Sequence, residues 1–461
     1  MIDINAITNV HFIGIGGVSN SAIAEILNHN GYHVSGSDLN TSTLTKRLAD
    51  KGIVIYRGHA EENVQGAELV VYTAAVSDDN PELQYAMTNN IPCLSRAEML
   101  GQLMLGYEKT IAISGTHGKT TTTSMLTRIF NDPTYDPTSL IGGDFADIGS
   151  NVRIGKGEIF ITEACEYKES FLSFYPSIGI VLNVDEDHLD YYRDLDHIAS
   201  AFVKFAGNIR EDGLLVINGD DFNARKVRAA YTGKCLTYGI TLACDFTAKN
   251  IIYNNYGYPT FDIYNGDTFI TKISLSIPGQ HNIYNALAAF TAATQLTSDI
   301  EAIVTRLASF RNANRRFEHI GEAEGVLLVD DYAHHPMEIK ATLDAAARMA
   351  SVKRIRVAFQ PHTYSRTKEL LHAFSGAFTN ADEVIVTDIY AAREKDPGDI
   401  HARDLVKALQ AEGVNALYLE TFEAIEAHFL KTAVAGDLIM SVGAGDIYKV
   451  THTLAHQWGA S

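Results

Sequence analysis

The sequence predicts an α/β protein built from three successive α/β domains, on three observations. Short apolar runs alternate with helix-length segments, the pattern of parallel sheets joined by crossover helices. Two glycine-rich turns, at residues 14–19 and 115–123, each stand between such a run and a helix start. The length of 461 residues exceeds one ordinary core.

The elements follow in order. In the first region, 1–106, an apolar strand at 9–15 leads through the turn into a helix at 19–30, with Gly31 as its stop. Strands at 32–36 and 69–73 and a helix at 81–88 complete a βαβ pattern. The second region, 107–310, opens with a strand at 109–114, the second turn and a helix at 124–130. Strands follow at 157–163, 178–184 and 214–218. Residues 245–278 alternate between apolar and polar and carry Asn-Gly turn signals, so antiparallel hairpins are expected before an alanine-rich helix at 285–296. The third region, 311–461, shows a strand at 326–331 and a helix at 336–349 with Pro336 in its first turn. Strands at 354–360, 383–387 and 437–441 complete it.

Composition narrows the function. Hydrophobic residues make up 46% and charged residues 20%, as in a folded globular chain. A formal net charge of -19 argues against a nucleic-acid groove. Cys93, Cys165, Cys235 and Cys244 lie far apart with no CxxC spacing, so neither a zinc knuckle nor a dithiol is indicated. The N-terminus lacks a basic, cleavable leader, and no apolar run reaches the ~18 residues of a membrane span. A cytoplasmic protein is expected.

Both turns suit phosphates. In the first, Gly14, Gly16 and Gly17 begin the dinucleotide fingerprint, but Ser19 replaces its third glycine; Ser37 and Asp38 close the next strand, near the acidic ribose position. The amides of Gly16, Gly17 and Ser19 suit a nucleotide diphosphate, and a plain packing turn is the alternative. The second turn, Gly115-Thr116-His117-Gly118-Lys119-Thr120-Thr121, is a shortened phosphate loop with Ile113 where the first Walker glycine is usual. Lys119 suits the β- and γ-phosphates and the Thr120 hydroxyl suits Mg²⁺.

Glu163 ends a strand as a metal ligand or a solvated acid. His188 follows three acids, Asp185, Glu186 and Asp187. Hard Mg²⁺ rarely takes imidazole, which favours a carboxylate ligand, a supporting role for the histidine, or a cap. In the third region Arg315, Arg316, Asp330, Asp331, His334, His335 and Arg366 either close over a nucleotide or form surface ion pairs.

Taken together, these motifs resemble the Mur ligase family. The stretches that carry the resemblance are His11-Phe12-Ile13-Gly14-Ile15-Gly16-Gly17, Gly36-Ser37-Asp38-Leu39, residues 115–123, Glu163-Ala164-Cys165-Glu166-Tyr167, Asp187-His188-Leu189-Asp190 and Gly279-Gln280-His281-Asn282 with Asn285. They continue with Arg315-Arg316-Phe317-Glu318, residues 330–336, residues 359–366 and residues 388–394, in family order across essentially the whole chain.

The resemblance implies a Rossmann-like N-terminal domain, a central P-loop ATPase-like domain and a C-terminal Rossmann-like α/β domain. It implies ATP-dependent ligation of L-alanine to the lactyl carboxylate of UDP-N-acetylmuramate through an acyl phosphate, by a monomer or weak homodimer. On it, Gly14, Gly16, Gly17, Ser19, Ser37 and Asp38 hold the UDP part. Gly115, Thr116, His117, Gly118, Lys119, Thr120, Thr121, Asn282, Asn285, Arg316 and Asp331 hold ATP. Thr120, Glu163 and His188 hold Mg²⁺, with Mn²⁺ as a substitute. Lys119, His188, His334, His335 and Arg366 surround the reacting groups.

Two stretches depart from the family pattern: residues 18–22 read Val-Ser-Asn-Ser-Ala instead of a Gly-Met-Ser-Gly continuation, and Thr363 stands where many relatives have arginine. Lys204 does not align with the carbamylated lysine of sister ligases, which the alanine-adding branch is expected to lack. A sister ligase that adds a preformed tripeptide, a nucleotide-binding regulatory protein without turnover, and a nicotinamide oxidoreductase suggested by the first turn alone are the competing readings.

Overall fold

Among the described residues of the computed structural model the strands form three sheets of five, ten and six strands. Those residues are 4–460 except Ala74, Ala75, Asp190, Ala313 and Arg393, so Asp190 and Arg393 of the motifs above lie outside them.

The first sheet is wholly parallel. It comprises β1 (Asn9–Ile13), β2 (His33–Asp38), β3 (Val54–Arg57), β4 (Leu69–Tyr72) and β5 (Cys93–Ser95), in the order β3-β2-β1-β4-β5. The order reverses at β1, so a crevice opens beyond its carboxyl end, where the first glycine turn enters helix Val18–His29.

The second sheet comprises β6 (Lys109–Ser114), β7 (Thr138–Phe145), β8 (Ser150–Arg153), β9 (Ile159–Glu163), β10 (Ile178–Val181), β11 (Leu214–Asn218), β12 (Lys234–Gly239), β13 (Phe246–Tyr253), β14 (Pro259–Asn265) and β15 (Thr268–Ser274). Its order is β15-β14-β13-β12-β11-β10-β6-β9-β7-β8. β6 lies between β9 and β10, parallel to both and buried on both faces, which is why it reads as a continuous apolar run. The expected hairpins are β13–β14–β15, antiparallel to one another.

The third sheet comprises β16 (Glu318–Ala323), β17 (Val326–Asp331), β18 (Arg354–Phe359), β19 (Glu383–Val386), β20 (Ala416–Tyr418) and β21 (Asp437–Val442), ordered β16-β17-β21-β18-β19-β20. It is parallel except for the edge strand β16.

Two helices start earlier than their apolar patterns suggest. The helix after the second turn runs Lys119–Phe130, beginning at the lysine rather than at residue 124. Threonine is a modest helix former, but here Thr121, Thr122 and Thr123 are buried and the turn launches the helix directly. The alanine-rich helix runs Gln280–Ala293, and its buried Ala286, Ala289 and Ala293 let it lie close against Lys119–Phe130. Strands β7 and β8 escaped the sequence reading because Gly142, Gly143, Ser150 and Asn151 break any apolar alternation.

The first two sheets are tied together. Arg47 donates to Ser150 Oγ at 3.0 Å and to Asn151 Oδ1 at 2.9 Å, and Asn151 Nδ2 donates to the Val18 carbonyl at 2.9 Å. Helix Arg96–Leu105 presses Gly101 onto the backbone after β9, where an added Cβ would lie 2.1 Å from the Ser173 carbonyl oxygen. Replacing Gly101 with alanine should therefore force the two apart and cost about 1–3 kcal/mol in urea unfolding. Unchanged stability would contradict this packing.

Candidate active site

The phosphate loop is shaped by its glycines and one asparagine. Gly115 (φ +141) and Gly118 (φ +87) hold backbone angles that L side chains rarely adopt, and a Cβ at Gly118 would lie 2.5 Å from Asn285 Oδ1. Asn183, beyond β10, clamps the loop: its Oδ1 accepts from the His117 N–H at 2.8 Å and its Nδ2 donates to the His117 carbonyl at 3.0 Å. The Thr116 hydroxyl accepts from the Asp185 N–H at 2.9 Å. The loop amides and the N-terminus of helix Lys119–Phe130 thus open toward one space.

Lys119 Nζ donates to the carbonyls of Gly115 at 2.5 Å and Thr116 at 3.1 Å, and to both Glu166 oxygens at 3.0 and 2.9 Å. Burial works against the ammonium charge. The attraction of Glu166, with lesser help from Cys165 and Glu163, outweighs it and holds Lys119 above the ordinary lysine range.

Glu166 is a residue the sequence reading missed, as are Asn183 and Glu338. Glu166 is 2% exposed, pairs with Lys119, and lies 4.0 Å from His188 Nε2. Glu163, the expected ligand, instead accepts the Gly142 N–H at 2.6 Å and acts on Lys119 only by its charge. The Glu-x-x-Glu spacing at the end of β9 was the available signal.

His188 has a left-handed backbone (φ +56) and its ring lies against Tyr167 at 4.7 Å. Thr120 stands half-buried in the first helical turn after Lys119. The set closest to metal-ligand spacing among the described residues is a different one: His117, Asp185 and His335 bring donor atoms within 4.8 Å of one another.

That trio behaves as a charged latch. His117 Nε2 lies 3.6 Å from Asp185 and its Nδ1 lies 3.3 Å from Glu338. Burial opposes the imidazolium, but the two carboxylates outweigh it and push His117 up to about 9. His335 caps helix Pro336–Ala346 and its Nε2 donates to the Glu186 carbonyl at 2.7 Å. Burial pushes His335 down, with the His117 charge adding to the effect.

One side of the loop is a cavity of about 260 Å³ lined by Gly118, Thr121, Asn282, Asn285, Arg316 and Asp331 among others. Asn285 Nδ2 donates to Asn282 Oδ1 at 3.0 Å, and Asn282 Nδ2 donates to the Pro278 carbonyl at 2.7 Å. Asp331 accepts from the N–H groups of Phe317 at 2.8 Å and Ala333 at 2.7 Å. Burial raises its carboxyl to about 6 although the Arg316 charge pulls the other way.

A second cleft of about 280 Å³ adjoins His188 and is lined by Asp187, His362, Thr363, Arg366 and Glu394, among others. Arg366 donates to Asp187 at 3.0 Å and contacts His362 Nδ1 at 3.2 Å. Burial disfavours the Asp187 charge, but Arg366 holds its carboxyl well below the usual range. His334 faces this side, its ring 5.7 Å from His362 and its Nδ1 donating to the Tyr332 carbonyl at 3.1 Å. Thr363 sits at φ +67 as the N-cap of helix Tyr364–Glu369, a strained backbone at the cleft wall.

In the first turn Gly14 has φ +76, and the Gly16 N–H donates to Asp38 Oδ2 at 2.9 Å. A Cβ at Gly16 would lie 2.7 Å from that carboxylate. Ser19 lies in the first turn of helix Val18–His29. The side chain of Ser37 turns inward, donating to the buried Glu82 at 2.5 Å, so it does not reach the crevice.

A glycine-turn crevice, a phosphate loop and a polar cleft holding the Arg366–Asp187 pair, in sequence along three α/β sheets, define a phosphate-handling α/β protein of three units. Three family models match it in succession: "Mur ligase family, catalytic domain" over residues 9–108, "Mur ligase middle domain" over 113–293, and "Mur ligase, glutamate ligase domain" over 315–445. The chain belongs to the Mur ligase family. It is 50% identical to the UDP-N-acetylmuramate--L-alanine ligase of Alkaliphilus metalliredigens, covering 98% of both chains. It is 49% identical to that of Acetivibrio thermocellus, over 98% of this chain and 96% of the relative. The crystal structure of UDP-N-acetylmuramate-alanine ligase MurC from Thermotoga maritima superposes with a TM-score of 0.81 at 29% identity, over 98% of this chain and 99% of that one.

The raised His117 value gives a pH test. Its ordinary value is 6.5 and its folded value about 9, so its stabilising contribution is complete below 6.5 and is lost as pH rises through 9. His117→Asn should lower unfolding stability at pH 6 and make little difference at pH 10. A loss that stays constant across that range would contradict a charged His117.

Proposed function

We propose that the protein joins L-alanine to the lactyl carboxylate of UDP-N-acetylmuramate at the expense of ATP, yielding UDP-N-acetylmuramoyl-L-alanine, ADP and phosphate in cytoplasmic cell-wall synthesis. The observation that carries this reading is the placement of Lys119 and Glu166 between the Asn282–Asn285 cavity and the Asp187–Arg366 cleft. The named relatives above, at about half identity over nearly whole chains, support the choice of substrates.

In this reading each unit brings one part. Residues 1–106 hold UDP at Gly14, Gly16, Gly17, Ser19 and Asp38, with Ser37 buttressing the crevice from within. Residues 107–310 hold the ATP phosphates on the loop amides and Lys119. Residues 311–461 close with Arg316 and Asp331 on the nucleotide and Arg366 on alanine.

A carboxylate does not acylate an amine because oxide is a poor leaving group. The lactyl carboxylate oxygen attacks the γ-phosphorus and ADP departs, while Lys119 offsets the charge that shifts onto the bridging oxygen. The neutral amine of alanine then attacks the acyl carbon, the C–O bond to phosphate breaks, and phosphate leaves. Burial lowers His334 to about 4, so its ring is neutral at pH 7 and offers Nε2 as acceptor for the amine proton. His335 has both ring nitrogens engaged, with the Met337 N–H and the Glu186 carbonyl, and serves the closure of the third unit.

The donor set suits Mg²⁺. Thr120 and Glu166 offer the oxygen ligands a hard cation prefers, and His188 stands beside Glu166, with Glu163 nearby. When bound, the cation neutralises phosphate charge, and Mn²⁺ would serve in its place.

Two measurements test the reading. ADP release should require both UDP-N-acetylmuramate and L-alanine, and L-Ala-γ-D-Glu-meso-diaminopimelate should not replace L-alanine; efficient turnover of the tripeptide would overturn the assignment. Lys119→Ala should lower kcat by at least about 10³-fold with the fold retained. Near-normal turnover would remove Lys119 from the chemistry.

A further inference from the structure

The first turn and the phosphate loop are separate anion sites, and a nucleotide sugar that serves both must pass between them. Arg96 stands beside the first of them. It opens helix Arg96–Leu105, whose start is fixed by a capping box between Ser95 and Glu98. Its Nη1 donates to Ser19 Oγ at 3.1 Å, at the mouth of the first turn.

The same helix packs through Gly101 on the segment that directly follows Glu166. Arg96 thus touches the first turn from a helix that also packs on the segment following Glu166.

Among the described residues no carboxylate lies within ion-pairing distance of Arg96, whose side chain is half-buried. Other cations along the three units are paired: Arg47 with Glu25, Lys119 with Glu166 and Arg366 with Asp187. A partly desolvated guanidinium without a counter-ion favours the arrival of an anion, and its planar fork fits carboxylate or phosphate oxygens in pairs.

We propose that Arg96 is a substrate-binding residue that holds an anionic group of the nucleotide sugar between the first turn and the phosphate loop. The diphosphate and the lactyl carboxylate share this chemistry, and both lie on the path. The proposal rests on the functional reading above.

The test uses the full chain and calorimetric binding of UDP-N-acetylmuramate and of UDP alone, together with steady-state kinetics. Arg96→Gln should weaken UDP-N-acetylmuramate binding about 30-fold, the scale of a charged hydrogen-bonded contact, and leave the KM values for ATP and L-alanine unchanged. Arg96→Lys, which keeps the charge but not the fork, should recover part of the loss and serves if the glutamine variant fails to fold. Weakened binding of UDP as well assigns the diphosphate; unchanged UDP binding assigns the carboxylate. Ser19→Ala should weaken binding less than Arg96→Gln, and an equal loss would mean that Arg96 acts only by holding Ser19, overturning direct contact. Wild-type affinity in Arg96→Gln would also overturn the proposal. A wild-type chain that binds no UDP-N-acetylmuramate would instead overturn the functional reading itself.

Discussion

A buried lysine–glutamate pair at the head of a helix is the contact on which the rest of the site depends. Lys119 and Glu166 are both drawn out of water, and neither is stable there without the other. The pair holds the end of β9 against the loop after β6 and fixes where a phosphate can sit. Asn183 does the same from β10, by hydrogen-bonding both backbone groups of His117. Three adjacent parallel strands therefore converge on one loop, and Gly115 and Gly118 supply the positive φ angles that its turn requires.

The second organising feature is the segment 185–188, which meets the third unit at several points. Asp185 and Glu338 share His117, the Glu186 carbonyl accepts from His335, and Asp187 pairs with Arg366. The segment leaves β10 within a few residues of the loop-clamping Asn183. The third unit therefore meets the phosphate loop and the segment after β10 through polar contacts. Such contacts are directional and strong only when fully formed, which suits a closure that excludes water around an acyl phosphate.

Much of this was legible in the sequence. Strands β6, β11 and β17 and helix Pro81–Thr88 fall on the expected residues, because buried parallel strands read as continuous apolar runs and Pro81 marks a helix start. The phosphate loop was legible because glycine, lysine and hydroxyl have to follow one another in the chain. Glu166 was not: its role depends on meeting Lys119 across two strands, and no local pattern distinguishes it from Glu163. Ser37 looked like a ligand contact beside Asp38, but strand alternation turns it into the buried network of Glu82. The different settings of His334 and His335 were equally invisible, since one faces the Arg366 cleft and the other caps a helix onto Glu186. That Arg96 has no carboxylate partner among the described residues is likewise visible only in the fold.

The central claim is that these parts converge to phosphorylate a carboxylate before the amine attacks. Turnover of UDP-N-acetylmuramate labelled with ¹⁸O in its lactyl carboxylate tests this most directly. The account predicts that each released phosphate carries one ¹⁸O from that carboxylate, the other remaining in the new amide. Phosphate free of label, with one carboxylate oxygen lost to water and the other kept in the amide, would contradict it.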